Sequence, residues 1–229
     1  MKLVLLPGMD GTGNLFNEFV SFYRGETAVI SFPHLGSQSY EDLSAFVVSK
    51  LPKEDHILLA ESFSGGLIPH LIQHDNKHTK GIIFVASFLS CPRPSLIRLV
   101  LLLPIKRLSS IPGANLMHRL LFLGWDVQES IVATFTSTIS NLPEATLNSR
   151  LRSILSLKNT MASHSSLPCV YIRPISDLLI PEGKAKEIPT SFTNCSYRPI
   201  VGSHFILQSS PQMLANEVRQ AVLHITKNS

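Results

Sequence analysis

A short apolar run, His56-Ile57-Leu58-Leu59-Ala60-Glu61, stops abruptly at Ser62, and small residues crowd both sides of that serine: Ala60 before it, Ser64-Gly65-Gly66 after it. Leu67, Ile68, Leu71 and Ile72 then recur at helical spacing. A strand that turns this sharply into a helix strains the residue at the corner. It also brings the residues two before and two after into contact, so both must be small. Ala60 and Ser64 meet that need around Ser62, where the usual pattern has glycine at both places. Such a corner lifts a hydroxyl clear of the backbone, and the N–H groups and dipole of the following helix favour negative charge beside it. A second register, with Ser64 at the corner and Ser62 and Gly66 as its flanks, is also open. Strand 57–60 runs directly into Ser62 and favours the first. The bland alternative is an ordinary strand-turn-helix connection with a capping serine.

A chain of 229 residues with 44% hydrophobic content and a mean hydropathy of +0.20 can bury one sizeable core and is not disordered. The three cysteines, Cys91, Cys169 and Cys195, form no even disulfide framework. Cys169 and Cys195 lie in strand-like runs and read as small core residues. The N-terminal Met1-Lys2-Leu3-Val4-Leu5-Leu6 briefly mimics a signal peptide, but Pro7-Gly8 follows and no small-residue cleavage site does. It reads as a core strand, and the protein as cytoplasmic. Segment 96–105 contains Arg98 and Pro104 and is too short to span a bilayer.

Along the chain, strands are expected at 2–6, 28–32, 56–60, 81–86, 169–172 and 195–200, with helices at 14–23, 40–51, after Ser62 to about 74, and from about 211 to 225. Strands alternating with helices imply an α/β architecture with a mostly parallel, doubly wound sheet. The whole chain, 1–229, reads as one domain. Between the fourth and fifth strands the alternation stops, and residues 92–166 read as a helical insertion. Ligands in such sheets sit at the carboxyl ends of the strands, where the turn at Ser62, the glycine-rich loop 7–13 and the insertion all emerge.

A serine nucleophile needs a base, and the base needs an orienting acid. Downstream, Asp177 lies in a turn past a buried strand (Cys169-Val170-Tyr171-Ile172), and His204 follows the last strand in Gly202-Ser203-His204-Phe205. An aspartate in a turn commonly caps backbone N–H groups, and with nine histidines in the chain a single loop histidine says little. The order Ser, Asp, His, each after its own strand, is the signal.

These pieces together resemble the α/β-hydrolase superfamily over nearly the whole chain. The matching segments are Leu5-Leu6-Pro7-Gly8-Met9-Asp10-Gly11-Thr12-Gly13, Ala60-Glu61-Ser62-Phe63-Ser64-Gly65-Gly66, Ser176-Asp177 and Gly202-Ser203-His204-Phe205. Many relatives begin the glycine loop His-Gly, where Pro7 stands here. The sequence also starts at the strand before that loop, which reads as a reduced N-terminus. The resemblance implies a serine hydrolase cleaving carboxylic esters, with Ser62 as nucleophile, His204 as base and Asp177 as its orienting acid. It further implies an oxyanion hole from the backbone N–H groups of Met9 and Phe63. A serine at the corner argues against the dehalogenase and epoxide hydrolase branches, which carry aspartate there. Amidases, thioesterases, cofactor-free lyases and haloperoxidases remain open, and a non-catalytic ligand-binding protein on the same fold is the alternative outside enzymes. No cofactor is called for: Gly11-Thr12-Gly13 is not followed by the phosphate-loop pattern. No metal is expected either. His70, His74 and His78 recur every four residues but have no carboxylate or cysteine to complete a site.

Between residues 95 and 160 the basic residues are Arg98, Lys106, Arg107, Arg119, Arg150, Arg152 and Lys158, against Asp126, Glu129 and Glu144. That excess equals the net charge of the entire chain, +4, so the surplus sits in the expected lid. Large apolar residues crowd the same segment (Leu99–Leu103, Leu120–Leu123, Trp125). They either pack the lid onto the body or line an acyl tunnel with a basic rim. Such a rim would suit an acidic acyl carrier protein, as in the pimeloyl-[acyl-carrier protein] methyl ester esterases of biotin synthesis, which this segment resembles. The carrier-linked esterase is the alternative; the main reading is a small-molecule or acyl ester substrate. Nucleic acid is not expected, since the basic residues are few and not interleaved with aromatics.

Overall fold

Among the described residues six strands build a single sheet, and its central strands are rich in branched aliphatic residues. In the computed structural model, which describes residues 1–74, 77–102, 129–161 and 165–227, the six are β1 (Lys2–Leu6), β2 (Thr27–Val29), β3 (His56–Glu61), β4 (Thr79–Val85), β5 (Cys169–Pro174) and β6 (Cys195–Ile200). Their order is β2-β1-β3-β4-β5-β6, and every pairing is parallel. Parallel neighbours need crossovers, and helices supply them on both faces. Alternate residues feed the two layers. Val4, Leu6, Leu58 and Ala60 pack with Tyr40, Leu43 and Val47 of α2 (Tyr40–Lys50) and with Ile68 and Leu71 of α3 (Ile68–His74). Leu3, Leu5, Ile57 and Leu59 pack with Phe19 and Tyr23 of α1 (Asn17–Tyr23). The C-terminal helix, which runs over Pro211–Lys227, covers the same face through Leu214, Val218, Ala221 and Ile225.

The chain leaves β1 toward β2 on one side and later returns to place β3 on the other. The strand order therefore reverses between β1 and β3, the place where sheets of this kind open a crevice at the carboxyl edge. The pairing Leu6↔Ala60 sets the start of loop 7–13 directly beside the corner at Ser62.

The expected elements form, with differences that have local causes. The strand expected at 28–32 pairs as a strand only over Thr27–Val29, because β1 ends; Ile30 and Phe32 instead donate to the carbonyls of Leu5 (3.1 Å) and Gly11 (2.7 Å). The helix expected at 14–23 is a 3-10 turn (Asn14–Phe16) running into α1. A second 3-10 turn, Ser62–Leu67, precedes α3. Among the described residues between β4 and β5 lie α4 (Pro94–Leu101), α5 (Glu129–Asn141) and α6 (Glu144–Ser156). Ile97 of α4 and Leu147, Leu151 and Ile154 of α6 join the core of α2 and α3, so this part of the insertion is packed onto the body. Residues 103–128, which carry most of the apolar residues expected of a tunnel, lie outside the described residues. Three short helices, α7 (Glu182–Ala185), α8 (Glu187–Ser191) and α9 (Ile206–Ser209), have no periodic signature in the sequence; the C-terminal helix is α10.

Cys169 and Cys195 are register partners on β5 and β6, as reduced thiols with sulfurs 3.1 Å apart. His70 and His74 lie on α3, whereas His78 falls past its end, 3.4 Å from Asp55. Among the described residues no group of three histidine, cysteine or acidic side chains could hold a metal, and no helix is long and apolar enough to cross a membrane.

One buried acid at the end of β3 shapes the stability of this arrangement. Glu61 is 4% exposed and accepts hydrogen bonds from Gln208 Nε2 (2.9 Å) on α9 and from the Gly8 N–H. Burial pushes its carboxyl up to about 7; the Gln208 bond opposes this, Asp10 adds to it, and His204 and Gly8 oppose it. Gln208 Oε1, buried and without a partner, is an acceptor that a protonated Glu61 could use. A carboxyl raised on folding contributes its full stability below its unfolded value, and that contribution is lost as pH rises toward the folded value. The window is thus about pH 4.5 to 7, and the loss is of order 3 kcal/mol for a shift of this size. Urea unfolding of the wild type and Glu61→Gln across pH 4.5–8 tests this. The variant should be close to the wild type at pH 4.5 and gain on it as pH rises. A difference that does not change with pH would contradict the account.

Candidate active site

Ser62 sits at the corner between β3 and the 3-10 turn with φ of 47°, in the left-handed region that a residue with a side chain enters only under strain. The surroundings hold it there. Ser87 Oγ donates to the Ser62 carbonyl at 2.8 Å. Gly65 lies so close to the next strand's loop that a Cβ would stand 2.2 Å from Ser87 Oγ and 2.5 Å from the Phe88 carbonyl oxygen. Phe63 is fully buried, stacked on Tyr40 at 4.7 Å and tilted against Phe32 at 6.2 Å. It anchors the first residue after the corner in the core.

The two serines part company. Ser64 is fully buried and donates to the Pro7 carbonyl, tying the corner to loop 7–13. Ser62 is partly exposed, and its Oγ lies 2.8 Å from His204 Nε2. The geometry therefore favours the Ser62 register.

His204 follows β6 and Asp177 follows β5, adjacent strands whose ends are stitched by Ile175 N–H to Ile200 O (2.9 Å) and Ser176 N–H to Gly202 O (3.1 Å). His204 Nδ1 lies 2.8 Å from Asp177 Oδ2, and both side chains are nearly buried. The other carboxylate oxygen, Oδ1, accepts from the N–H groups of Leu179 (2.8 Å) and Ile180 (3.0 Å). An ionised carboxylate only accepts, so the Nδ1 proton points at Asp177 and the Nε2 lone pair faces the Ser62 hydroxyl. Ser62, Asp177 and His204 are brought together as the sequence order suggests.

Loop 7–13 is knit by its own bonds. Gly11 N–H donates to Gly8 O at 3.1 Å, and Asp10 Oδ2 accepts from Thr12 N–H (2.9 Å) and Thr12 Oγ1 (2.5 Å). Because a peptide is planar and trans, fixing the Gly8 carbonyl fixes the opposite direction of the Met9 N–H. The Phe63 N–H lies in the first turn after the corner, where N–H groups lack intrahelical acceptors.

Arg150 departs from its expected place on a basic rim. It is fully buried, donating from Nε to Gln38 Oε1 (2.9 Å), from Nη1 to the Met9 carbonyl (2.8 Å) and from Nη2 to the Pro33 carbonyl (3.2 Å). Burial lowers its pKa to about 10, with Asp10 opposing the shift, so the guanidinium stays charged at neutral pH. The sequence held a signal for this. Leu147, Arg150, Leu151 and Ile154 fall on one helical stripe that packs inward, whereas Arg152 is off it and exposed. Arg98, Arg152 and Lys158 are exposed; Lys106, Arg107 and Arg119 lie outside the described residues. Beside loop 7–13, a cleft of about 670 Å³ runs between Thr12, Asn14 and His34 on one side and Ser137 and Asn141 of α5 on the other. Ala133 and Leu142 also line it.

No family model and no curated protein matches the sequence. Solved structures do match its shape. An esterase from Exiguobacterium antarcticum superposes with a TM-score of 0.81 at 10% identity, over 99% of this chain and 92% of that one. A thermophilic esterase from Thermogutta terrifontis gives 0.78 at 11%, over 98% and 90%. An extracellular α/β-hydrolase from a Paenibacillus species gives 0.73 at 20%, over 96% and 98%. At these identities what is shared is the overall fold, which in this chain is a six-stranded parallel sheet flanked by helices. The chain has the α/β-hydrolase fold.

Proposed function

We propose that this protein is a serine hydrolase that cleaves carboxylic esters through an acyl-enzyme. The observation that carries the reading is the unbroken hydrogen-bond chain Ser62 Oγ, His204, Asp177, with 2.8 Å at each link. Its position past the carboxyl ends of β3, β5 and β6 and the esterases among its structural neighbours support it.

In this mechanism Ser62 Oγ attacks the ester carbonyl carbon while His204 Nε2 takes its proton. The tetrahedral oxyanion accepts from the N–H groups of Met9 and Phe63. Collapse breaks the bond to the leaving alcohol, which receives the proton from His204, and leaves the acyl group on Ser62. Water, deprotonated by His204, then attacks the acyl carbonyl and releases the acid. Asp177 holds the productive tautomer and stabilises the imidazolium. In this reading the insertion between β4 and β5 sets acyl preference. The free-ester reading is favoured over a carrier-bound substrate, because Arg150 is withdrawn from the rim that would receive a carrier.

Hydrolysis of p-nitrophenyl esters from acetyl to decanoyl tests the proposal. Ser62→Ala should lose activity by about 10⁴-fold or more, and Asp177→Asn by about 10⁴-fold through the wrong histidine tautomer. Ser64→Ala, which removes a buried tie to Pro7, should keep Ser62-dependent turnover. Activity that survives in Ser62→Ala at the wild-type level would overturn the assignment.

A further inference from the structure

We infer that Arg150 is a positioning residue for the oxyanion hole: from the insertion it pins the loop whose Met9 N–H receives the developing negative charge. The inference rests on the ester-hydrolase reading and adds to it a residue on α6 that contacts none of Ser62, His204 and Asp177 among the hydrogen bonds described. Two peptides flank Met9. The one before it is fixed by Gly11 N–H on the Gly8 carbonyl, and the one after it by Arg150 Nη1 on the Met9 carbonyl. With both held, the dihedrals of Met9 have little freedom, and its N–H keeps one direction. A preorganised donor is what makes an oxyanion hole effective, because no reorganisation is needed as charge develops.

Arg150 is itself immobilised. Gln38 and Pro33 hold its other donors, and its guanidinium lies 5.8 Å from the centre of the Phe32 ring. Residue 11 has no room for a side chain beneath it: a Cβ on Gly11 would stand 2.3 Å from Nη1. The loop and the guanidinium are thus fitted to each other. A buried cation is expensive to desolvate, and here its bonds offset that cost by tying the Met9 and Pro33 carbonyls and Gln38 together. The neighbours on the same stripe, Leu147, Leu151 and Ile154, already supply the apolar packing of α6.

The test compares full-length wild type, Arg150→Met, Arg150→Lys and Gln38→Met on the p-nitrophenyl ester the wild type cleaves best. Active sites are counted by fluorophosphonate titration, so loss of folded protein is separated from loss of rate. Removing an oxyanion donor outright typically lowers turnover by about 10²–10³-fold, so a loosened donor should lower it by about 10–100-fold. Arg150→Met should therefore lose about that much kcat per titrated site, with KM changed by less than about threefold. Inhibition by phenylboronic acid, whose serine adduct carries a tetrahedral anion, should weaken by the factor lost in kcat/KM. Arg150→Lys should recover part of the loss, and Gln38→Met should show a smaller loss of the same kind. Hydrogen exchange at amides 8–12 should quicken in Arg150→Met.

A kcat per site unchanged in Arg150→Met, or a rise in KM with kcat retained, overturns the inference while leaving the esterase reading intact. If Arg150→Met yields no folded protein, unchanged kcat and boronate affinity in both Arg150→Lys and Gln38→Met overturn it instead. If the wild type shows no Ser62-dependent turnover of any ester, the esterase reading fails, and the inference fails with it.

Discussion

The arrangement depends on one strained residue. Holding Ser62 in the left-handed region costs of the order of 1–3 kcal/mol and is sustained only because its neighbours over-determine it. Each of those neighbours also belongs to the core. Phe63 is wedged between Tyr40 and Phe32, Gly65 admits no side chain against Phe88, and Ser87 holds the Ser62 carbonyl. The stability of the sheet and the exposure of the hydroxyl are therefore coupled. The same corner that sets Ser62 Oγ 2.8 Å from His204 Nε2 also starts the 3-10 turn that leads into α3.

The sheet order explains why these groups meet. Reversal between β1 and β3 juxtaposes loop 7–13 with the corner, and Ser64 and Glu61 both reach across to that loop, through Pro7 and Gly8. On the far side, β5 and β6 deliver Asp177 and His204 from neighbouring strand ends, with backbone bonds between their loops. Four connections from one edge thus converge. Glu61 lies among them as a buried acid with Asp10, Gln208 and His204 around it, a local strain on stability above neutral pH.

The parts readable in the sequence were those with short-range rules. Strands buried on both faces write continuous apolar runs, and the small-Ser-small pattern writes the corner, so β1, β3, β4, β5 and Ser62 are legible in the sequence alone. Asp177 and His204 were legible only jointly, by order and by position after strands. What could not be read is set by long-range packing. The extent of β2 depends on where β1 ends, and α7 to α9 are too short to carry a period. Arg150 was misplaced because counting charge in a segment says nothing of which face carries it. Its stripe with Leu147, Leu151 and Ile154 pointed inward, to partners at Met9, Pro33 and Gln38 that are more than a hundred residues away.

The central claim is that Ser62 alone is made nucleophilic, by His204 and Asp177. Labelling with a fluorophosphonate, followed by mass mapping of the adduct, reads this without knowledge of the natural substrate. The account predicts one adduct, on the Ser62 oxygen, formed rapidly in the wild type and slowed by orders of magnitude in His204→Ala. An adduct on Ser64, or labelling of Ser62 at the same rate without His204, would contradict it.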